Sequence, residues 1–119
     1  MKLTDLDPQW MEHEGRRIGF VFVSPVQPTR HDGSPRSLLY RLTCMAQPTP
    51  MHLQREIAER MFGDDDYAVV PCKQEIGWSI AGGIDAASFG ALTATPSIDG
   101  SASGNWHGHI TDGQIVGGI

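Results

Sequence analysis

The side chains with the widest chemical range in this sequence are two cysteines, Cys44 and Cys72, and a His-x-His pair, His107 and His109. Thiolate and imidazole are donors that suit zinc, so these four residues define one metal-binding possibility. Their spacing argues against it. Neither cysteine belongs to a Cys-x-x-Cys pair, and isolated cysteines in a reduced protein serve most often as small apolar core residues. The same residues offer nucleophilic chemistry, with Cys72 attacking and His107 or His109 taking its proton, as in a Cys/His-dependent hydrolase or transferase. No glycine elbow or helix N-terminus adjoins Cys72 to activate its thiol. The expected catalytic, metal and cofactor sets are therefore none. Cys72, His107 and His109 form the catalytic alternative, and a structural metal-binding domain is the other.

A second group of residues has the character of a contact surface. Residues 24–36, SPVQPTRHDGSPR, hold three prolines and an Asp-Gly pair, a long loop of the kind that carries function, and they place Arg30, His31 and Arg36 on an otherwise acidic protein. The run Asp64, Asp65, Asp66 lacks the alternating spacing of a calcium loop and is expected to be a solvated turn. The expected partner-binding residues are Arg30, His31, Asp64, Asp65, Asp66, His107 and His109. Nine Lys and Arg against 14 Asp and Glu give a net charge of −5, too few clustered cations for direct nucleic-acid binding. That charge complements a partner with a basic surface, including a nucleic-acid-binding complex whose site is to be blocked.

The His-x-His pair must be positioned by the C-terminal segment. Asp112-Gly113 between Thr111 and Gln114 predicts a two-residue type I′ hairpin turn. The turn sets Thr111 opposite Gln114, Ile110 opposite Ile115 and His109 opposite Val116. Trp106, Ile110, Ile115 and Ile119 then share one face, and His107, His109, Thr111, Gln114 and Val116 share the other. Residues 18–23, IGFVFV, read as a central strand, and 38–45 as a second. A helix is expected over 50–62, with Thr49 as N-cap, Pro50 at its first position, Gly63 as C-cap and an apolar stripe of Leu53, Ile57, Ala58, Met61 and Phe62. Residues 67–72 and 76–81 read as an antiparallel hairpin, 91–98 as a strand ending at Pro96, and 99–104 as a loop. The polar N-terminal stretch carries spaced anchors at Leu3, Leu6, Trp10 and Met11. The three tryptophans are expected not to be all deeply buried in so small a core, which makes a partly exposed one an interface anchor.

With 119 residues, 14 glycines and eight prolines, the chain predicts a single domain of class mainly β (α+β). It is expected to be a small antiparallel sheet or partly open barrel of about seven short strands, with one docked helix and a C-terminal hairpin. The N-terminus has no signal-peptide pattern and no apolar run reaches the roughly 20 residues of a membrane helix, so a cytoplasmic location is expected.

Leu92, Thr95, Pro96, Ser97 and Ile98, followed by Trp106, His107, Gly108, Ile110 and Gly113, resemble the closing motif of DUF6527, a family of small bacterial and phage proteins of unknown function. The stretches LTDLDPQW and GRRIGFVF are similar to one branch of it. The resemblance covers both ends of the chain and implies a fold neighbourhood without an activity. Many relatives carry a Cys-Pro-x-Cys pair after the first strand, and some a cysteine before the Trp-His pair. Here Ser24-Pro25-Val26-Gln27 and Ser103-Gly104-Asn105 stand in those places, so the zinc site those thiolates imply is not expected. The phage setting implies an accessory protein that binds a host protein, such as a host-defence nuclease of the CRISPR effector type. A non-catalytic protein-binding domain is the functional expectation.

Overall fold

The structure, a computed structural model, describes residues 1–34, 38–63, 67–71, 77–101 and 104–118. Its first sheet grows around β2 (Arg16–Val23), whose β-branched and aromatic residues suit a strand buried on both faces. β2 pairs antiparallel with β1 (Gln9–His13) on one side and with β3 (Leu39–Met45) on the other. The fourth strand, β4 (Tyr67–Pro71), lies parallel to β3. Between them runs α1 (Met51–Phe62). The helix returns the chain to the start of β3, and a crossover of this kind makes the next strand parallel. The hairpin expected from residues 67–72 and 76–81 is therefore not formed. The strand that follows, β5 (Ser79–Ile80), belongs to the second sheet.

That second sheet has the order β5, β6 (Ala94–Asp99), β7 (His107–Thr111), β8 (Gln114–Val116), antiparallel throughout. The described residues thus form eight strands in two four-stranded sheets, where about seven strands in one sheet or partly open barrel were expected. The class, mainly β with one helix, is as the sequence implied.

Each face of the first sheet has its own core. Phe20, Phe22, Leu42 and Cys44 pack against Trp78, Ala94, Ile98, Trp106, Ile110 and Ile115 of the second sheet. The edge-to-face contact of Phe22 and Trp106, 6.1 Å between ring centroids, crosses this interface. On the opposite face Met11, Val21 and Met45 meet Ile57 of α1. Ile18 joins them through a bulge. Successive β1 residues Met11 and Glu12 pair with Gly19 and Arg17, so Ile18 is the extra residue and its side chain changes face. The layers run helix, first sheet, second sheet, and the far side of the second sheet is left open.

One expectation shifts locally and another holds. Pro50 is the N-cap of α1, one residue later than expected, because Thr49 turns its hydroxyl back to the Gln47 carbonyl at 3.0 Å. Trp78 and Trp106 are both buried, and Trp10 is half-buried, stacked on Phe89 at 4.1 Å under the Arg17 guanidinium. The three are thus not all deeply buried, as expected, and Trp10 is the partly exposed one.

Candidate functional site

The open face of the second sheet is built on the β7–β8 hairpin. Asp112 and Gly113 take φ of 49° and 73°, the left-handed pair that a type I′ turn requires. The pairing follows from that turn: Thr111 with Gln114, Ile110 with Ile115, His109 with Val116. Trp106, Ile110 and Ile115 point into the core. His107, His109, Thr111, Gln114 and Val116 are exposed on the other face. Ile119, expected on the apolar face, lies outside the described residues. The Trp106 ring lies flat against Gly108, where an added Cβ would sit 2.4 Å from a ring carbon, and its indole N–H donates to the Gly117 carbonyl at 2.8 Å. The hairpin is therefore clamped from beneath.

β6 carries the rest of the face. Ala94 pairs with Ile110 and Ile98 with Gly108, so Thr95, Pro96 and Ser97 together stand opposite His109 alone. A proline is tolerated in an inner strand at such a bulge, where no ladder N–H is demanded of it. The buried Trp78 holds the bulge from below, its indole N–H reaching the Pro96 carbonyl at 3.1 Å and the Ser97 carbonyl at 3.3 Å. Beyond the bulge Asp99 pairs directly with His107.

His107 thereby gains two neighbours that the sequence reading did not assign to it. Its Nε2 lies 3.3 Å from Ser97 Oγ, and its Nδ1 lies 3.9 Å from Asp99 Oδ1. The Asp99 carboxylate accepts from the Ser101 hydroxyl at 2.5 Å and from the Ser101 amide at 2.9 Å. These bonds, with the charge attraction of His107 as a smaller cause, hold its pKa below the usual carboxylate range. The signal was present as Ser97-Ile98-Asp99, two polar side chains two residues apart and hence on one strand face. It is hidden because a proline ordinarily closes a strand and Asp99 opens the polar run 99–104, which reads as a loop.

The other expected site residues are dispersed. Arg30 and His31 are exposed in a turn closed by the Arg30 amide on the Ser34 carbonyl at 2.9 Å. Asp64, Asp65, Asp66 and Cys72 lie outside the described residues. Cys44 is buried between the sheets, whereas His107 and His109 face away from that core, so the sheet itself separates this thiol from both imidazoles. A metal site combining Cys44 with the histidines is thereby excluded. Among the described residues no three His, Cys, Asp or Glu side chains are grouped closely enough to hold a metal ion.

Ser24 and Gln27 have structural partners. The Ser24 hydroxyl donates to the Val26 carbonyl at 2.5 Å and accepts from the Trp106 amide at 3.2 Å, joining the loop after β2 to the second sheet. The Gln27 amide brackets Tyr40, donating to its carbonyl at 2.9 Å and accepting from its N–H at 2.9 Å. No helix among the described residues is long and apolar enough to cross a membrane. No protein-family model, curated protein or solved structure matches the chain.

Proposed function

We propose that the chain is a protein-binding module whose contact surface is the open face of the second sheet. One observation carries this reading. The outward residues of β7 and β8, namely His107, His109, Thr111, Gln114 and Val116, include no Lys, Arg, Asp or Glu, and Val116 is 47% exposed directly opposite His109. A flat patch without formal charge, centred on an exposed β-branched residue, has the composition of an interface core, which is depleted in charged residues relative to the remaining surface. The clamp beneath the hairpin keeps the patch rigid, so little ordering cost falls on association. Asp99, Asp112 and one cation, Lys2 beside Gln114, rim it, and with the net charge of −5 the rim favours a basic partner. The resemblance of residues 92–98 and 106–113 to bacterial and phage proteins supports a host protein as that partner. A nucleic-acid-binding complex such as a host-defence nuclease has the complementary charge.

The reading is tested by affinity capture from a bacterial host lysate with three baits. The wild type is expected to retain a protein that Val116→Arg/His109→Glu loses while keeping its melting temperature. Arg30→Glu/His31→Glu, altered in the distant loop, is expected to retain it. A partner held equally by the first variant, or none held by the wild type, overturns the assignment of this face.

A further inference from the structure

We infer that Ser97 is an activated serine that accepts an acyl group from carboxylic esters, with His107 as its general base and Asp99 as the positioning residue behind the imidazole. The three side chains stand in the order this chemistry needs. One ring nitrogen of His107 faces the Ser97 hydroxyl at 3.3 Å and the other faces the Asp99 carboxylate at 3.9 Å. Asp99 Oδ1 already accepts both Ser101 bonds and lies beyond hydrogen-bond distance of Nδ1, so its part is electrostatic, favouring a proton on Nδ1 and the Nε2 lone pair on the serine side. Separations somewhat longer than a hydrogen bond are common before substrate binds and close as charge develops.

The fold holds each member independently. Ser97 sits on the bulge fixed by the buried Trp78 indole, Asp99 is gripped by Ser101, and His107 extends from the strand clamped by Trp106. The bulge makes Ser97 one of three residues opposite His109 instead of a regular ladder partner. Bulges recur beside active sites because they re-aim a side chain in this way. His109, on the same face, is the neighbouring titratable group on β7. His107 and Asp99 are 50% and 55% exposed, so the site is open and suits an ester presented on a larger molecule as well as a small one.

In the step proposed, the Oγ–C bond forms at the ester carbonyl as the Oγ proton passes to His107 Nε2. The tetrahedral adduct then expels the alcohol, which takes that proton, and Ser97 is left as an ester. Water, deprotonated by the same nitrogen, releases the carboxylic acid and restores the hydroxyl. The site shares His107 and the open face with the protein-binding reading, yet the two fail separately: Val116→Arg, outside the three acting residues, should abolish capture and leave acylation intact.

A fluorophosphonate probe tests it, since attack by Oγ forms a P–O bond, expels fluoride and leaves a stable adduct. Intact-mass and peptide analysis should find one adduct, on Ser97. His107→Asn should slow labelling about 100-fold, the lower end of a general base's contribution. Asp99→Asn should slow it less, with partial recovery in Asp99→Glu, and all variants should keep the wild-type melting temperature. Release of p-nitrophenol from p-nitrophenyl acetate should follow the same order. An absent Ser97 adduct under conditions that label a control serine hydrolase, or a wild-type rate in His107→Asn, overturns the inference.

Discussion

Two glycines in equivalent turns separate what backbone conformation demands from what packing demands. Gly15 and Gly113 both follow a non-glycine residue of positive φ, Glu14 and Asp112, and adopt φ of 77° and 73°. An added Cβ at Gly15 meets nothing within 4 Å, whereas at Gly113 it would lie 2.2 Å from the Gly90 carbonyl oxygen. Gly15→Ala should therefore lose only the cost of a left-handed L-residue, about 1–2 kcal/mol. Gly113→Ala should lose that and more, because the turn must also pull away from residue 90, and Gly113→Val should be worse still. Chemical denaturation of the three variants decides it; equal losses for the two alanines would mean that the Gly90 contact yields freely. The turn was legible from Asp-Gly alone, but the contact with residue 90 was not, since nothing in local sequence brings those backbones together. The same limit hid Ser97 and Asp99. A proline reads as a strand end unless a bulge absorbs it, and the bulge here depends on Trp78, whose indole N–H meets backbone carbonyls 18 and 19 residues further along the chain.

Among the elements, α1 was the easiest to read, although no side chain caps its N-terminus. Its stripe is local and periodic, and the structure buries Ile57 and Ala58 with Leu53, Met61 and Phe62 packed beside Ile57. What fixes its position along the first sheet is polar. Thr43 Oγ1 donates to Gln54 Oε1 at 2.6 Å with both residues buried, and Gln54 Nε2 donates to the Thr49 carbonyl at 3.0 Å. Thr43→Val preserves the shape but leaves the Gln54 oxygen buried without this donor, and should cost about 1–3 kcal/mol. Adding Gln54→Met removes the stranded oxygen, so the double variant should lose less than the sum of the two single losses. Strict additivity in urea titrations would show that this bond does not dock the helix. The parallel pairing of β3 and β4 was illegible for a related reason. Strand sequences report burial and alternation, while the direction of pairing is set by where the intervening helix delivers the chain.

At the scale of the molecule, the two ends of the chain are held together. The Leu3 amide donates to the Gly113 carbonyl at 2.8 Å, the Ile115 amide donates to the Met1 carbonyl at 2.9 Å, and Lys2 bridges Gln114. Residues 1–3 thus run as a short extra strand along β8, covering an edge that would otherwise offer unpaired backbone groups to another molecule. Leu3 and Leu6, both in the 3-10 helix Leu3–Leu6, then enter the core shared by the two sheets. The sequence marked Leu3, Leu6 and Met11 correctly as anchors, but not the edge they close, because the partners lie some hundred residues away. Covering an edge and filling a core are separable effects. Leu3→Ala leaves the backbone pairing in place and removes only side-chain volume, so it should lose about 2–5 kcal/mol and elute with the wild type. Deleting residues 1–6 removes both, and should give a less stable protein that also associates through the bared β8 edge. Size-exclusion chromatography with thermal melts distinguishes the two. If the truncated chain melts with the wild type and elutes at the same size, the N-terminal strand is neither a core element nor an edge cover. If Leu3→Ala associates as strongly as the deletion, lost core packing and not the open edge drives association.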